Sequence, residues 1–328
     1  MPRADVQPCQ WLSERDAFRA FATHEGKTQS AGHIKPLHWY VASRLVVEGG
    51  FHPDNVTPRP PFAVKVVRSK GKDRHQLVYD PRLGGTGEQV ILGGLKTKNV
   101  DVVVNLPQLG PIMAVSCKGV TKSFRNLTNR MEETIGECTN LHITYPAMVI
   151  GYFALLRANR TPQDAVEAPD IDAEDTIIQP DDDGAAADTA AVEAVDPSAG
   201  TASIGNDLAV DHRGTVVNGI VRFHAALREM TGRRGIRDEI SRYEAMAMAL
   251  VEPKGDVAGT ALASFPGTDS PLHLEGFFQT LYQRYEERFV YGAPLLADRG
   301  ISTRFIWADD SPAFSGGGPS LSYEPRIS

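Results

Sequence analysis

The amino-acid sequence predicts an α/β protein with a mixed central sheet flanked by helices. Three observations carry this. A β-branched run at 100–104 is followed, across the turn 105–110, by a second apolar run at 112–118. Two continuous apolar runs, 145–156 and 245–252, read as strands buried on both faces. Between these runs, apolar residues recur at helical spacing in several segments, so strand and helix patterns alternate along the chain.

The first predicted element is a helix over 13–23, with Phe18, Ala20 and Phe21 inward. A longer helix is predicted over 30–48. Pro36 lies near its start, Leu37, Tyr40, Val41, Arg44, Leu45 and Glu48 follow the 3.6-residue repeat, and Gly49-Gly50 ends it. After the extended, proline-rich stretch 54–61, residues 62–68 and 75–79 predict a hairpin whose basic residues are Lys65, Arg68, Lys70, Lys72 and Arg74. Residues 80–94 are glycine-rich but lack the GxxxxGK[ST] ending of a phosphate-binding loop, so their glycines are expected to shape a loop close to the neighbouring strands, with Glu88 an acid on it.

In the strand predicted over 112–118, Ser116 and Lys118 share one face and Cys117 takes the other. The helix after it carries Phe124, Leu127, Met131, Ile135 and Cys138 as its buried stripe. At about 100° per residue Glu132 falls roughly a quarter-turn from that stripe, beside Arg125 and Thr128, and Glu133 falls on the far side. Further helices are predicted over 216–230 (Ile220, Phe223, Leu227, Met230) and 271–291, the latter equally suited to a dimer face. A last strand is expected at 302–307, and a flexible tail from 309 to 328.

Composition bounds the function classes. Of 328 residues 41% are apolar, enough to fill a core, and no apolar run is long enough to cross a membrane. The N-terminal residues carry no apolar leader, and three cysteines without CxxC spacing argue against a disulfide frame or a zinc site. A cytoplasmic protein is expected. Residues 158–212 hold fourteen acidic residues against one arginine, and almost no aromatics, which predicts a disordered acidic insertion. The remaining residues carry 33 basic and 27 acidic groups, a mildly basic balance suited to a phosphate backbone.

The residues 96–133, with Asp101 on one strand and Ser116-Cys117-Lys118 on the next, resemble the PD-(D/E)xK nuclease superfamily, the restriction-endonuclease-like fold. In that family an Asp and a following (D/E)xK triplet hold Mg²⁺ and a water. Asp101 matches the first acid and Lys118 the lysine, while Ser116 stands where the triplet's acid belongs. One group of restriction enzymes reads S-x-K here and brings the missing carboxylate from the next helix, a role the resemblance gives to Glu132. A glutamate on the helix before the first core strand, here Glu48, often joins the metal site.

The resemblance implies a Mg²⁺-dependent endonuclease acting on double-stranded DNA, of type II restriction or related phage-defence kind, and a homodimer on palindromic sites. Asp101, Glu132 and Glu48 would ligate the metal, Lys118 would assist the attacking water, and Ser116 would hold a ligand water. The nuclease core would span 12–157. Residues 213–308 would complete it or form a DNA or dimer face.

Phosphate contacts are expected from Lys70, Lys72 and Arg125, and from Arg233 and Arg234 in an arginine-rich segment. An alternative is a catalytically inactive DNA-binding module of the same fold, since Ser116 departs from the motif. A third reading, a thiol hydrolase using Cys117 and His142, needs a cysteine that the strand alternation turns into the core. His142 alone reads more simply as a satisfied loop histidine.

Overall fold

The computed structural model describes residues 7–24, 31–69, 71–122, 124, 127–161, 207–299 and 303–315. The helices are α1 (Glu14–Ala22), α2 (Lys35–Val47), α3 (Leu127–Thr144), α4 (Asn218–Met230), α5 (Leu274–Tyr285) and the short α6 (Pro294–Ala297). The strands are β1 (Val56–Thr57), β2 (Phe62–Ser69), β3 (Lys72–Tyr79), β4 (Gln89–Leu92), β5 (Thr97–Val100), β6 (Val102–Leu106), β7 (Gly110–Val120), β8 (Val149–Arg157) and β9 (Ala245–Val251).

A five-stranded mixed sheet in the order β1-β6-β7-β8-β9 forms the centre. The pairs β1–β6 and β6–β7 are antiparallel; β7–β8 and β8–β9 are parallel. The two parallel connections pass through helices, as a crossover between parallel strands requires. Every residue of β8 and β9 is buried, which is why both read as unbroken apolar runs. On one face, Phe18, Leu37, Leu45 and Phe278 of α1, α2 and α5 pack over Val115, Cys117 and Phe153. On the other, Leu127, Leu141 and Phe223 of α3 and α4 pack over Ala114, Tyr152 and Met248. The α/β expectation, a mixed sheet with helices on its faces, is met.

Helix α1 begins at the cap Ser13, whose hydroxyl accepts from the Asp16 N–H. Eleven of the thirteen residues of α2 are buried, so it has no solvent face, and the one-sided stripe expected for it does not exist. The β2–β3 hairpin is a separate two-stranded sheet with exposed Lys65, Arg68, Lys72 and Arg74. Lys70 and Arg125, expected phosphate contacts, lie outside the described residues.

Four expectations are corrected. The helix expected to run on to 291 ends at Tyr285, and a π-helical turn, Glu286–Tyr291, follows. Residues 303–307 form no strand. Trp307 makes a single bridge to His75, while the Phe305 N–H donates to Gly50 O and the Trp307 indole N–H to Val46 O. Anchoring to the end of α2 replaces a ladder there.

The tail from 309 is packed through Phe314. Ser311 Oγ accepts the Leu77 N–H at 3.0 Å and Ala313 is buried. The acidic insertion is shorter than 158–212: Ala158, Asn159, Ala209 and Val210 are buried, and Asn159 Nδ2 donates to Thr121 O and Asp207 O. Residues 162–206 lie outside the described residues. No helix among the described residues is long and apolar enough to cross a membrane.

Candidate active site at the mouth of β6 and β7

The site is organised by the β4–β5 hairpin. Its register pairs Gln89 with Val100, and Glu88 and Asp101 follow that last pair on the two sides at the open end of the ladder. The hairpin is clamped to α3. Asn140 Oδ1 accepts the N–H groups of Leu95 and Lys96, Asn140 Nδ2 donates to Lys96 O, and the Gly94 N–H donates to Asn140 O. Glycine is required at this approach: a Cβ on Gly93 would lie 2.1 Å from the Asn140 amide, and one on Gly94 2.0 Å from Ile143. These glycines, expected to bring the loop close to the neighbouring strands, approach helix α3 instead.

Asp101 sits at a bend between β5 and β6. Its Oδ2 accepts the Cys117 N–H at 2.7 Å, which ties it to the end of β7. Its Oδ1 lies 3.8 Å from Nε2 of His38, too far for a hydrogen bond. That Nε2 is buried and has no hydrogen-bond partner. The Cys117 thiol completes a group in which one donor atom each from His38, Asp101 and Cys117 lie within 4.8 Å of one another. A small pocket lined by Lys35, His38, Trp39 and Glu88 opens onto His38.

Burial dominates the electrostatics. It pushes the His38 imidazole below its ordinary value of 6.5, with Asp101 and Glu88 opposing and Lys118 and Lys35 adding to the drop. It pushes the Cys117 thiol well above its usual range, reinforced by Asp101 and offset by Lys118. At neutral pH His38 is neutral and Cys117 is a thiol. Lys118 is near enough to act on both groups, and the alternation of β7 puts its side chain on the face opposite Cys117. Ser116, two residues before Lys118 on the same strand face, is buried with no partner for its Oγ.

The structure brings Asp101, Ser116 and Lys118 to one end of the sheet and leaves the other two expected ligands elsewhere. Glu48 lies at the C-terminal end of α2, ten residues or about 15 Å along the helix from His38. There it accepts from Arg44 Nε at 2.7 Å and from Gln279 Nε2 at 2.8 Å, inside a buried network rather than a metal site. Glu132 is exposed on the outer face of α3. The stripe that packs on the sheet is Leu127, Met131, Thr134, Cys138 and Leu141, whereas Ile135 is 41% exposed; the buried face lies about half a residue from the expected one, which turns Glu132 outward. Of the α3 carboxylates only Glu137 is buried, and Lys98 Nζ reaches it at 3.3 Å.

Arg233 is not a phosphate contact. It is buried against Glu244 Oε1 at 2.7 Å and donates to Pro146 O and Ile236 O. Arg234 and Lys72 are exposed. His142 lies within α3 rather than a loop, with Nδ1 2.9 Å from Ile240 O and 3.4 Å from Cys138 Sγ. It is satisfied there and does not pair with Cys117, which removes the thiol-hydrolase pairing.

Sequence reasoning missed His38 and Glu137. His38 hides in a helix with no polar face, and only its place beside the first turn could have singled it out. Glu137 carries no sequence signal, because a carboxylate on a buried stripe is the exception. Comparison with protein-family models, curated proteins and solved structures returns no match.

Proposed function

We propose that this chain is a metal-dependent endonuclease that hydrolyses phosphodiester bonds of double-stranded DNA, on the PD-(D/E)xK plan and of restriction or phage-defence type. One observation carries the reading. Asp101 opens β6 beside the Ser116-Cys117-Lys118 end of antiparallel β7, and α3 then leads into the parallel β8. An acid and a lysine on adjacent strand ends are the arrangement such hydrolysis needs.

The residues fit Mg²⁺ in a revised set. Asp101 and Glu88 are hard oxygen donors flanking the last pair of one hairpin, and Mg²⁺ is commonly held by one or two carboxylates, with waters and substrate phosphate filling the rest. When bound, Mg²⁺ makes its water a stronger nucleophile and offsets charge on the leaving oxygen. The Cys117 N–H fixes the Asp101 carboxylate. Lys118 orients the attacking water or donates to the charge developing on the phosphoryl oxygens. Exposed Lys72 and Arg234 hold the backbone, and a homodimer presents two sites to a palindrome.

The test is plasmid cutting with Mg²⁺. Lys118→Ala and Asp101→Asn should each slow cutting by about 10²–10³-fold, the scale of losing one transition-state donor. Glu132→Ala should cut at the wild-type rate, whereas Glu88→Gln should not. Equal cutting by wild type and Lys118→Ala defeats the reading; DNA binding without any cutting leaves only a binding module.

A further inference from the structure

We infer that His38, Asp101 and Cys117 form a binding site for a zinc-class divalent ion. The donor set is one imidazole nitrogen, one carboxylate oxygen and one thiolate sulfur, which suits Zn²⁺ or Co²⁺ and not Mg²⁺. Bonds of about 2.0–2.3 Å in a tetrahedron hold ligand atoms roughly 3.3–3.8 Å apart. The His38 Nε2 to Asp101 Oδ1 separation, 3.8 Å, is about 0.5 Å above the spacing of a nitrogen–oxygen pair, and none of the others exceeds 4.8 Å. They close by about 1 Å or less on binding.

The second observation is the His38 ring itself. Its Nε2 is buried, lacks any hydrogen-bond partner and faces Asp101, and such an unpaired polar atom is costly unless something fills the gap. An ion there satisfies it. Charge also balances: a divalent cation offsets the Asp101 carboxylate and the Cys117 thiolate, so the buried site becomes neutral. Binding releases the Cys117 thiol proton to solvent and leaves His38 neutral, so no other group changes protonation. The pocket beside His38, lined by Lys35 and Glu88, is the entry route, and water takes the fourth position.

The binding does not rest on the hydrolytic reading, but it bears on it, because both ions use Asp101. A zinc-class ion and Mg²⁺ therefore exclude one another, and micromolar-range zinc should inhibit any Mg²⁺-dependent cutting.

Titration of the full chain with Co²⁺ in excess Mg²⁺ tests the site. One equivalent should produce a thiolate-to-cobalt absorption band in the near ultraviolet, and Zn²⁺ should bleach it. Cys117→Ser should lose the band. His38→Gln should keep it but weaken binding by more than the roughly 10–100-fold cost of losing an outer-shell partner. Circular dichroism confirms that each variant is folded, and should either fail, zinc protection of the wild-type Cys117 thiol from alkylation, read by peptide mass, gives the same answer. No band in wild type, an unchanged band in Cys117→Ser, or no protection overturns the site. Cutting assayed separately with Mg²⁺ alone keeps the two readings apart: a band without cutting sinks only hydrolysis, and cutting without a band sinks only this site.

Discussion

Arg233 shows how the role of a single residue is fixed by its surroundings. Its guanidinium is buried and donates to Glu244, while Arg288 Nη2 reaches the same carboxylate at 2.7 Å and His142 Nε2 lies 3.5 Å from it. Glu244 also accepts the Ile150 N–H at 2.7 Å, which fixes the lead-in to β9 against β8. Removing one partner of a buried pair costs about 3–5 kcal/mol, and because Arg288 still compensates Glu244, Arg233→Met should fall near the lower end. Urea unfolding checks this; a loss under about 1 kcal/mol, the scale of an exposed pair, would show Arg233 to be a surface residue after all. The same cluster sets an acid limit. Burial alone would raise the Glu244 carboxyl, but His142, Arg288 and the Ile150 N–H hold it below its ordinary 4.5. The stability it contributes is present above 4.5 and is lost as pH falls through that value toward the lowered one, because the unfolded chain takes up the proton first. Stability of wild type should therefore fall more steeply below that pH than stability of Glu244→Gln.

At the scale of elements, the site depends on where a hairpin is pinned. Asn140 supplies both acceptor and donor to the β4–β5 turn, so Asn140→Ala strands the Leu95 and Lys96 N–H groups and should cost about 1–3 kcal/mol. Hydrogen exchange should accelerate first in β4 and β5 and not in β8; uniform acceleration would contradict a local clamp. The sequence was legible where one pattern decided the element. The two core strands beside Asp101, the apolar β8 and β9, and α1 are readable from periodicity, whereas the Ser13 cap of α1 is seen only in the structure. It was not legible where packing overrides pattern. The buried face of α3 includes Thr134 and Glu137, polar residues that no hydrophobic stripe marks, and this displaced Glu132. Helix α2 is enclosed on all sides, so His38 carried no signal of facing Asp101. Residues 303–307 look like a strand, but the Phe305 N–H goes to Gly50 O just past α2 and Trp307 makes a single bridge to His75 of β3.

Over the whole molecule, charge is divided rather than mixed. The segment 158–212 holds fourteen acidic residues, while the remainder carries 33 basic against 27 acidic groups. The β2–β3 hairpin contributes Lys65, Arg68, Lys72 and Arg74 from a sheet of its own, held at its base by Trp11 packing on Phe62 and Tyr79. Arg74 is partly engaged by Asp310 at 3.4 Å, whereas Lys65, Arg68 and Lys72 are exposed on the ribbon. If they contact phosphate, each displaces about 0.9 of a condensed counterion from duplex DNA. Replacing all three with alanine should then flatten the slope of log binding constant against log salt by up to about 2.7, without changing which sequence is preferred. Cutting at saturating DNA should be untouched, since none of the three is among the groups assigned to Asp101, Glu88 and Lys118. A fluorescence-anisotropy salt titration reads the slope directly. An unchanged slope would place the DNA on another surface, and a lost sequence preference would make the hairpin a reader of bases rather than a holder of the backbone.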